Sequence, residues 1–352
     1  MNNFKKVGLT ALAGSLAAVS ANAIEMSVSG NTSVSYNTQS ADTVATGGTY
    51  NGGSAIGVDT GISFTGSGEL ENGFTVKTFA ALDDGRANTL SSSQLTLGMG
   101  SLGTVVFAQQ FGSAANGIDH MAPRVKEEAF DNAGGSVLQN FGRSTAEGTV
   151  TYKSNTFDVG AGMGFSFGVD YDPQSSVAND DHDAVTAQSA TEGSGMGYVV
   201  KLTSDMGATV GAGVEQIKGQ AGYADKENIT AYALYSMGPV SLGYQVYEMQ
   251  NGAVNNTVGV GTSADYTGDA YAIAFNVNES LSIGYEVINE TQEAASATLA
   301  GDREIDSITA AYTTGGMSVA IQQTSTENYA MANTAATEKD IENTQITLSF
   351  AF

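Results

Sequence analysis

Apolar and polar residues alternate with a period of two along most of the chain, and this alternation constrains the fold more than any other feature. The clearest example is 346–352, which reads Ile-Thr-Leu-Ser-Phe-Ala-Phe, and 240–246, 281–287 and 317–322 repeat the pattern. Successive side chains of a strand point to opposite faces, so each stretch predicts a strand with one apolar and one polar face. The residues between the apolar ones are small or polar, as expected for a face that meets water.

Sixteen segments of this kind can be counted, and the connections between them alternate strictly between short and long. The segments lie near 25–36, 57–69, 73–82, 94–99, 103–110, 147–153, 156–170, 196–203, 208–218, 228–236, 239–249, 269–276, 280–290, 304–313, 316–325 and 342–352. The seven short turns lie at 71–73, 101–103, 154–155, 205–207, 238–239, 278–279 and 314–316. The eight long loops cover 37–56, 83–93, 111–146, 171–195, 219–227, 250–268, 291–303 and 326–341.

This arrangement of turns and loops predicts a closed barrel rather than a soluble β-sandwich. Short turns on one side and long loops on the other are typical of antiparallel transmembrane barrels, and sixteen strands with both chain ends on the turn side require seven turns and eight loops. We therefore predict an all-β, 16-stranded antiparallel transmembrane β-barrel. Fourteen and eighteen strands are the alternatives to this count.

The composition supports a barrel in a membrane. Charged residues make up 14% of the chain, below the roughly 25% of soluble proteins. After residue 23, however, no run of apolar residues is long enough for a membrane-spanning helix. A barrel strand needs an apolar residue only at every second position, and it therefore satisfies both observations.

The first 23 residues predict a secretory signal peptide. Lys5 and Lys6 form a basic start, 7–20 is a short apolar stretch, and 21–23 reads Ala-Asn-Ala, which suits signal peptidase. The apolar stretch is too short to span a membrane. We expect 1–23 to be removed and 24–352 to form one barrel domain in the outer membrane of a Gram-negative cell.

Charge and residue inventory argue against two other classes of function. The formal net charge is −24, and loss of the two leader lysines takes it to −26, whereas nucleic-acid binding requires basic patches. The chain has no Cys and only two His residues, His120 and His182, both in predicted loops. A hydrolase would need a nucleophile beside a base, so we expect no enzyme. A non-channel β-rich surface protein is the other alternative, but it would explain neither the alternating connections nor the aromatic last strand.

Three segments are similar to the Gram-negative general porins, in particular those of alphaproteobacteria. They are Leu-Thr-Leu-Gly-Met-Gly-Ser-Leu-Gly-Thr-Val-Val-Phe at 95–107, the long loop after Gln-Gln-Phe at 109–111, and Leu-Ser-Phe-Ala-Phe at 348–352. The resemblance implies a homotrimer of water-filled channels for passive diffusion of small hydrophilic solutes and ions. It also implies contact with lipid and lipopolysaccharide, and recognition of Phe352 by barrel-assembly machinery.

The resemblance further implies that the third loop, 111–146, folds inward and narrows the pore. The charges of this loop expected at the constriction are Asp119, Arg124, Lys126, Glu127, Glu128, Asp131 and Arg143. On the barrel wall, the charged residues that lie in the polar phase of the strands, and are therefore expected to line the pore, are Lys77, Lys201, Glu215 and Glu286. General porins face the loop with a cluster of basic residues, and this wall has few, so we expect a modest preference for cations.

Two alternatives concern ligands. The acidic stretch containing Asp180, Asp181 and Asp183 offers hard oxygen ligands for Ca²⁺. It lacks the spacing and the glycine of a calcium loop, so a solvated external loop is the competing interpretation and no cofactor is expected. A substrate-specific barrel channel is the second alternative, and it would show a track of aromatic or basic residues along the lumen.

Overall fold

The computed structural model describes residues 25–41, 53–83, 90–109, 112–132, 136–138, 141–142, 147–173, 192–219, 223–250, 265–293, 301–331 and 340–352. The predicted signal peptide, 1–23, lies outside them. The first nine strands are β1 (Glu25–Ala41), β2 (Gly53–Glu69), β3 (Thr75–Asp83), β4 (Leu90–Gly98), β5 (Thr104–Gln109), β6 (Glu147–Lys153), β7 (Phe157–Gly160), β8 (Met163–Asp172) and β9 (Glu192–Ser204). The others are β10 (Ala208–Gly219), β11 (Lys226–Met237), β12 (Val240–Met249), β13 (Asp265–Asn276), β14 (Leu281–Glu293), β15 (Asp302–Thr314), β16 (Met317–Glu327) and β17 (Ile341–Ala351).

All strands belong to one antiparallel sheet that closes on itself. The first strand, β1, pairs with β2 on one side and with the last strand, β17, on the other. At the closing seam Val34 lies opposite Leu348, and Gly30 and Phe352 exchange two backbone hydrogen bonds of 2.7 and 2.9 Å. Closure leaves no open edge, which a barrel in a membrane requires because lipid offers no hydrogen-bonding partner.

The seventeen segments form sixteen wall strands, as predicted, but one predicted turn was wrong. Both β6 and β7 pair with β8, so they are two parts of a single interrupted strand. The predicted turn at 154–155 lies at the interruption, and the chain reverses at 161–162 instead. Gly160, Ala161 and Gly162 all have positive φ there. Glycine adopts this conformation readily, which explains why the reversal is placed at these residues.

The other predicted connections are confirmed. Short turns join β2 to β3, β4 to β5, β9 to β10, β11 to β12, β13 to β14 and β15 to β16, while the longer connections lie at the opposite ends of the strands. Within the described residues, no helix is both long enough and apolar enough to cross a membrane.

The two faces of the wall differ as the alternation predicts. On β12 the apolar side chains of Leu242, Tyr244 and Val246 are exposed, whereas Gln245 and Tyr247, which point the other way, are buried. The same division runs through the neighbouring strands. The buried apolar cluster of the protein lies on the polar face, between the third loop and the wall, and includes Phe130, Leu138, Phe141, Ile288 and Ile305.

Candidate functional site

The described part of the third loop, 112–142 with gaps, packs against the polar face of strands β8 to β16. Leu138 and Phe141 are fully buried, and Ile118 nearly so. Gly213 of β10 makes this close packing possible, because a Cβ there would lie 2.6 Å from Ile118 Cδ1 and 3.2 Å from the Phe141 ring. The loop is thus seated by apolar contacts that would cost several kcal/mol to remove.

Backbone amides at the start of the loop are held by wall side chains. The Asp170 carboxylate on β8 accepts hydrogen bonds from the amides of Ala114 and Ala115, each at 2.7 Å, and from the Thr151 hydroxyl at 2.6 Å. Further along, Gln245 on β12 accepts from the Met121 amide at 2.6 Å. Because irregular backbone has no ladder partners, these side chains satisfy groups that would otherwise be buried unpaired.

The middle of the loop is held by Glu286 of β14. One carboxylate oxygen of Glu286 contacts His120 Nε2, and the other accepts from the Ala129 amide at 3.0 Å. Arg124 lies 3.1 Å from the other ring nitrogen of His120, Nδ1. A guanidinium can only donate hydrogen bonds, so Nδ1 is the acceptor and the proton of a neutral ring is on Nε2, facing Glu286.

The end of the loop is held by Glu290, which is also on β14. This carboxylate contacts the Ser136 hydroxyl and accepts from the Val137 amide and the Tyr247 hydroxyl, each at 2.9 Å. Arg303 on β15 forms a two-nitrogen ion pair with the same carboxylate. The predicted wall residue Glu215 acts similarly on β10, where it accepts from the Gly142 amide at 3.2 Å and from the Asn228 amide group at 2.9 Å.

The charged loop residues between these anchors form local pairs. Arg124 pairs with Glu128 at 2.7 Å, one helical turn apart in sequence, and Lys126 pairs with Glu127 at 3.2 Å. A short 3₁₀ turn at Ala129–Asn132 follows these residues in the chain. The backbone carbonyls of Glu127 and Glu128 lie 3.4 and 3.5 Å from Gln322 on β16, so the loop reaches across the barrel wall to that strand.

Two aspartates of the loop have raised pKa values. The pKa of Asp131 is raised to about 7, mainly by loss of surrounding water and further by a hydrogen bond to Glu128 and the negative charges of Glu128 and Glu127. Loss of water likewise raises the pKa of Asp119, although the backbone amide and the ring of His120 partly oppose it. The loop is therefore less negative near neutral pH than its carboxylate count suggests.

The remaining predicted site residues are separated from these anchors. Lys77 is exposed on β3, opposite Ser67 and Thr96, and Lys201 is exposed on β9. Arg143 and the three candidate metal ligands, Asp180, Asp181 and Asp183, lie outside the described residues. The assignment of these side chains to conduction or metal binding stays a prediction.

Most of the wall residues that hold the loop could not be identified from the sequence. Asp170, Gln245, Glu290 and Arg303 are not among the residues predicted from the sequence. Their common signal is a polar residue in the polar phase of a strand, near its long-loop end. Many other polar residues share that phase, so the sequence alone does not distinguish the residues that hold the loop.

A family model described as "Gram-negative porin" matches residues 8–318. No curated protein sequence matches the chain significantly.

Solved structures share the fold at low sequence identity. An anion-selective porin from Comamonas acidovorans is 16% identical with a TM-score of 0.62, over 93% of this chain and 100% of that one. A trimer form of OmpT from Vibrio cholerae is 11% identical with a TM-score of 0.65, over 93% and 99%. Salmonella typhi OmpF, in complex with daunomycin, is 15% identical with a TM-score of 0.63, over 94% and 98%.

Proposed function

The chain belongs to the Gram-negative porin family and is an outer-membrane channel, and we propose that small hydrophilic solutes and ions diffuse through it passively. The observation that carries this proposal is the seating of the third loop on the polar face of the wall. The opposite face exposes large apolar side chains, among them Leu242, Tyr244 and Ile283, and suits lipid. The polar face then lines the lumen, and the third loop narrows it.

A loop inside the barrel supplies the size limit that a sixteen-stranded wall lacks. A barrel of this strand number encloses an aqueous channel. The anchors on Asp170, Gln245, Glu286 and Glu290 lie on strands β8, β12 and β14, so the loop is fastened across about half of the circumference. The free cross-section is what remains between the loop and the opposite wall.

Where β17 meets β1, the polar face carries amide side chains near the long-loop ends of the strands, which supports passage of neutral hydrophilic solutes. On the polar face of β17 and β1 the register places Gln345 opposite Asn37 and Asn343 opposite Gln39. Gln345 also lies opposite Gln322 of β16, the residue that the loop touches. The basic cluster that general porins place against the loop is absent from these described strands.

We also propose a modest preference for cations. Glu127 keeps half of its side chain exposed despite its contact with Lys126, and Asp59 is exposed on the polar face of β2. Mobile ions respond to the sum of lining charges at the narrowest point. The described part of the loop carries four carboxylates against Arg124 and Lys126. This excess of negative charge is small, because the ion pairs of Arg124 and Lys126 and the raised pKa of Asp131 reduce it.

The test is conductance of the refolded protein in a planar lipid bilayer. Stepwise channel openings in KCl, followed by a cation-biased reversal potential in a salt gradient, would support the proposal. An anion-biased reversal would overturn the selectivity, and an absence of openings would overturn the open channel. Conductance blocked by one class of solute would favour a substrate-specific channel instead.

Assembly and export are part of the same proposal. The similarity to a trimeric OmpT form supports a homotrimer, which openings in groups of three would reveal. Export through a signal peptide at 1–23, recognition of Phe352 by barrel-assembly machinery, and contact with lipopolysaccharide rest on the family. Calcium binding at Asp180, Asp181 and Asp183 is a separate proposal, tested by calcium titration of the refolded protein.

A further inference from the structure

A cavity of about 330 Å³ lies between the third loop and strands β6, β8, β9 and β11. This volume is at the lower end of the range of small-molecule sites. The loop side is apolar, with Ile118 and Met121, whereas the wall side is rich in hydrogen-bond donors. The polar lining residues are Lys153, Ser154, Thr156, Ser166, Lys201 and Tyr232.

The sheet register brings three of these residues into one row across four strands. Ser166 of β8 lies opposite Lys201 of β9, which lies opposite Gly211 of β10, which lies opposite Tyr232 of β11. Gly211 lets the Tyr232 ring lie over its backbone, because a Cβ there would be 2.5 Å from the phenol oxygen. The Tyr232 hydroxyl is thereby directed toward the lysine side of the row.

The Tyr232 hydroxyl is buried without a protein partner. Tyr232 is only 4% exposed, and among the described residues no group accepts or donates a hydrogen bond at its oxygen. A buried hydroxyl left unpaired costs about 1–3 kcal/mol. Because Tyr232 lines the cavity, its hydroxyl is available to a molecule that enters there.

The two lysines of the cavity also have unused hydrogen-bonding capacity. Within the described part of the chain, neither Lys153 nor Lys201 forms a salt bridge. Asp170, on the neighbouring strand β8, is the carboxylate whose negative charge attracts the Lys153 ammonium group. The hydrogen bonds of Asp170, however, go to the loop amides of Ala114 and Ala115 and to Thr151.

We propose that this cavity binds small solutes carrying a phosphate or carboxylate group. Two ammonium groups and a set of hydroxyls can all donate to an oxyanion, and charge-assisted hydrogen bonds of this kind are the strong ones. The proposal rests on the proposed function, because the solute reaches the cavity from the lumen. It adds a saturable anion site to a pore whose overall lining favours cations.

The test measures single-channel current in KCl as inorganic phosphate is added at constant ionic strength. In the wild-type channel, phosphate lowers the current to a plateau as the site fills. Lys201→Gln and Lys153→Gln raise the half-saturating phosphate concentration at least about tenfold, and Tyr232→Phe raises it about threefold. Lys201→Arg keeps the charge and retains most of the binding.

Lys77→Gln is the matched control, since it removes one exposed lysine from the polar face of β3, away from the cavity. A shift in Lys77→Gln as large as that in Lys201→Gln would show general charge effects and overturn the site. Openings in KCl with no response to phosphate would overturn the site while leaving the proposed function intact. Absence of openings in the wild-type channel would overturn the proposed function itself. Heat-modifiable migration on a detergent gel identifies any variant that fails to fold.

Discussion

His120 of the third loop and Glu286 of β14 form a buried hydrogen bond between residues 166 positions apart in sequence. The His120 side chain is 1% exposed and that of Glu286 is 7% exposed. Phe130 packs edge-on against the imidazole at 5.3 Å between ring centres, and Arg124 contacts its other nitrogen. This contact connects the middle of the loop to the wall.

Removal of the His120 ring should loosen the loop without opening the barrel. We expect His120→Ala to lower the free energy of unfolding by about 1–3 kcal/mol, because Glu286 loses a buried donor. Urea unfolding of the refolded protein measures this change, and open-channel current noise should rise. Glu279→Ala, in the exposed turn between β13 and β14, is the control. Equal losses in the two variants would contradict the anchoring role.

Loss of Arg303 should have a larger effect. The Glu290 side chain is fully buried, and Arg303 supplies the opposite charge. Breaking a buried ion pair from one side costs about 3–5 kcal/mol because the remaining charge is uncompensated. We expect Arg303→Met to be destabilised by about this amount in urea, whereas Lys218→Met, which breaks the exposed pair with Asp225, should not change the unfolding midpoint. A double variant with Glu290→Met should recover part of the loss.

The selectivity of the pore should depend on pH near neutrality. The pKa of Asp131 is raised to about 7, so this carboxylate loses its charge as the pH falls through 7. We expect cation preference, measured by reversal potential, to decrease from pH 8 to pH 6. Asp131→Asn should flatten this dependence, and Asp225→Asn, in another loop, should preserve it. An unchanged pH profile in Asp131→Asn would assign the titration to another group.

The raised pKa of Asp131 also predicts how the stability of the protein changes with pH. The pKa of Asp131 is about 7 in the folded protein, whereas the ordinary pKa of this side chain is 3.8. The folded state therefore binds more protons than the unfolded state between these values. We expect wild-type stability to fall as the pH rises from about 4 to about 7, and Asp131→Asn to reduce that fall in urea titrations.

The turn after β7 offers a test of the corrected strand boundary. Ala161 has φ of 55°, which costs a non-glycine residue about 1–2 kcal/mol. We expect Ala161→Gly to raise the free energy of unfolding by up to about 1 kcal/mol. Asn155→Gly should lower it, because the Asn155 side chain donates to the Gly100 carbonyl at 2.9 Å. If Asn155→Gly instead raised the free energy of unfolding, the result would support the turn predicted at 154–155.

The wall of the barrel could be predicted from sequence because its signals are local. Alternation assigns Leu242 and Gln245 to opposite faces without knowledge of any distant residue. Turn residues separate most strands for the same reason. The failure at 154–155 is also local, since Ser154-Asn155 resembles a turn, whereas only the pairing of β6 and β7 with β8 shows where the chain reverses.

The strand count, the two faces of the wall and the length of the third loop could be read from the order of residues, because each depends on a short stretch of chain. The position of the loop inside the barrel could not, because its contacts join residues far apart in the chain. His120 with Glu286 and Ser136 with Glu290 are separated by 166 and 154 residues. Such pairs depend on closure of the barrel, which brings distant strands to a common interior. The cavity beside Lys201 and Tyr232 has the same origin.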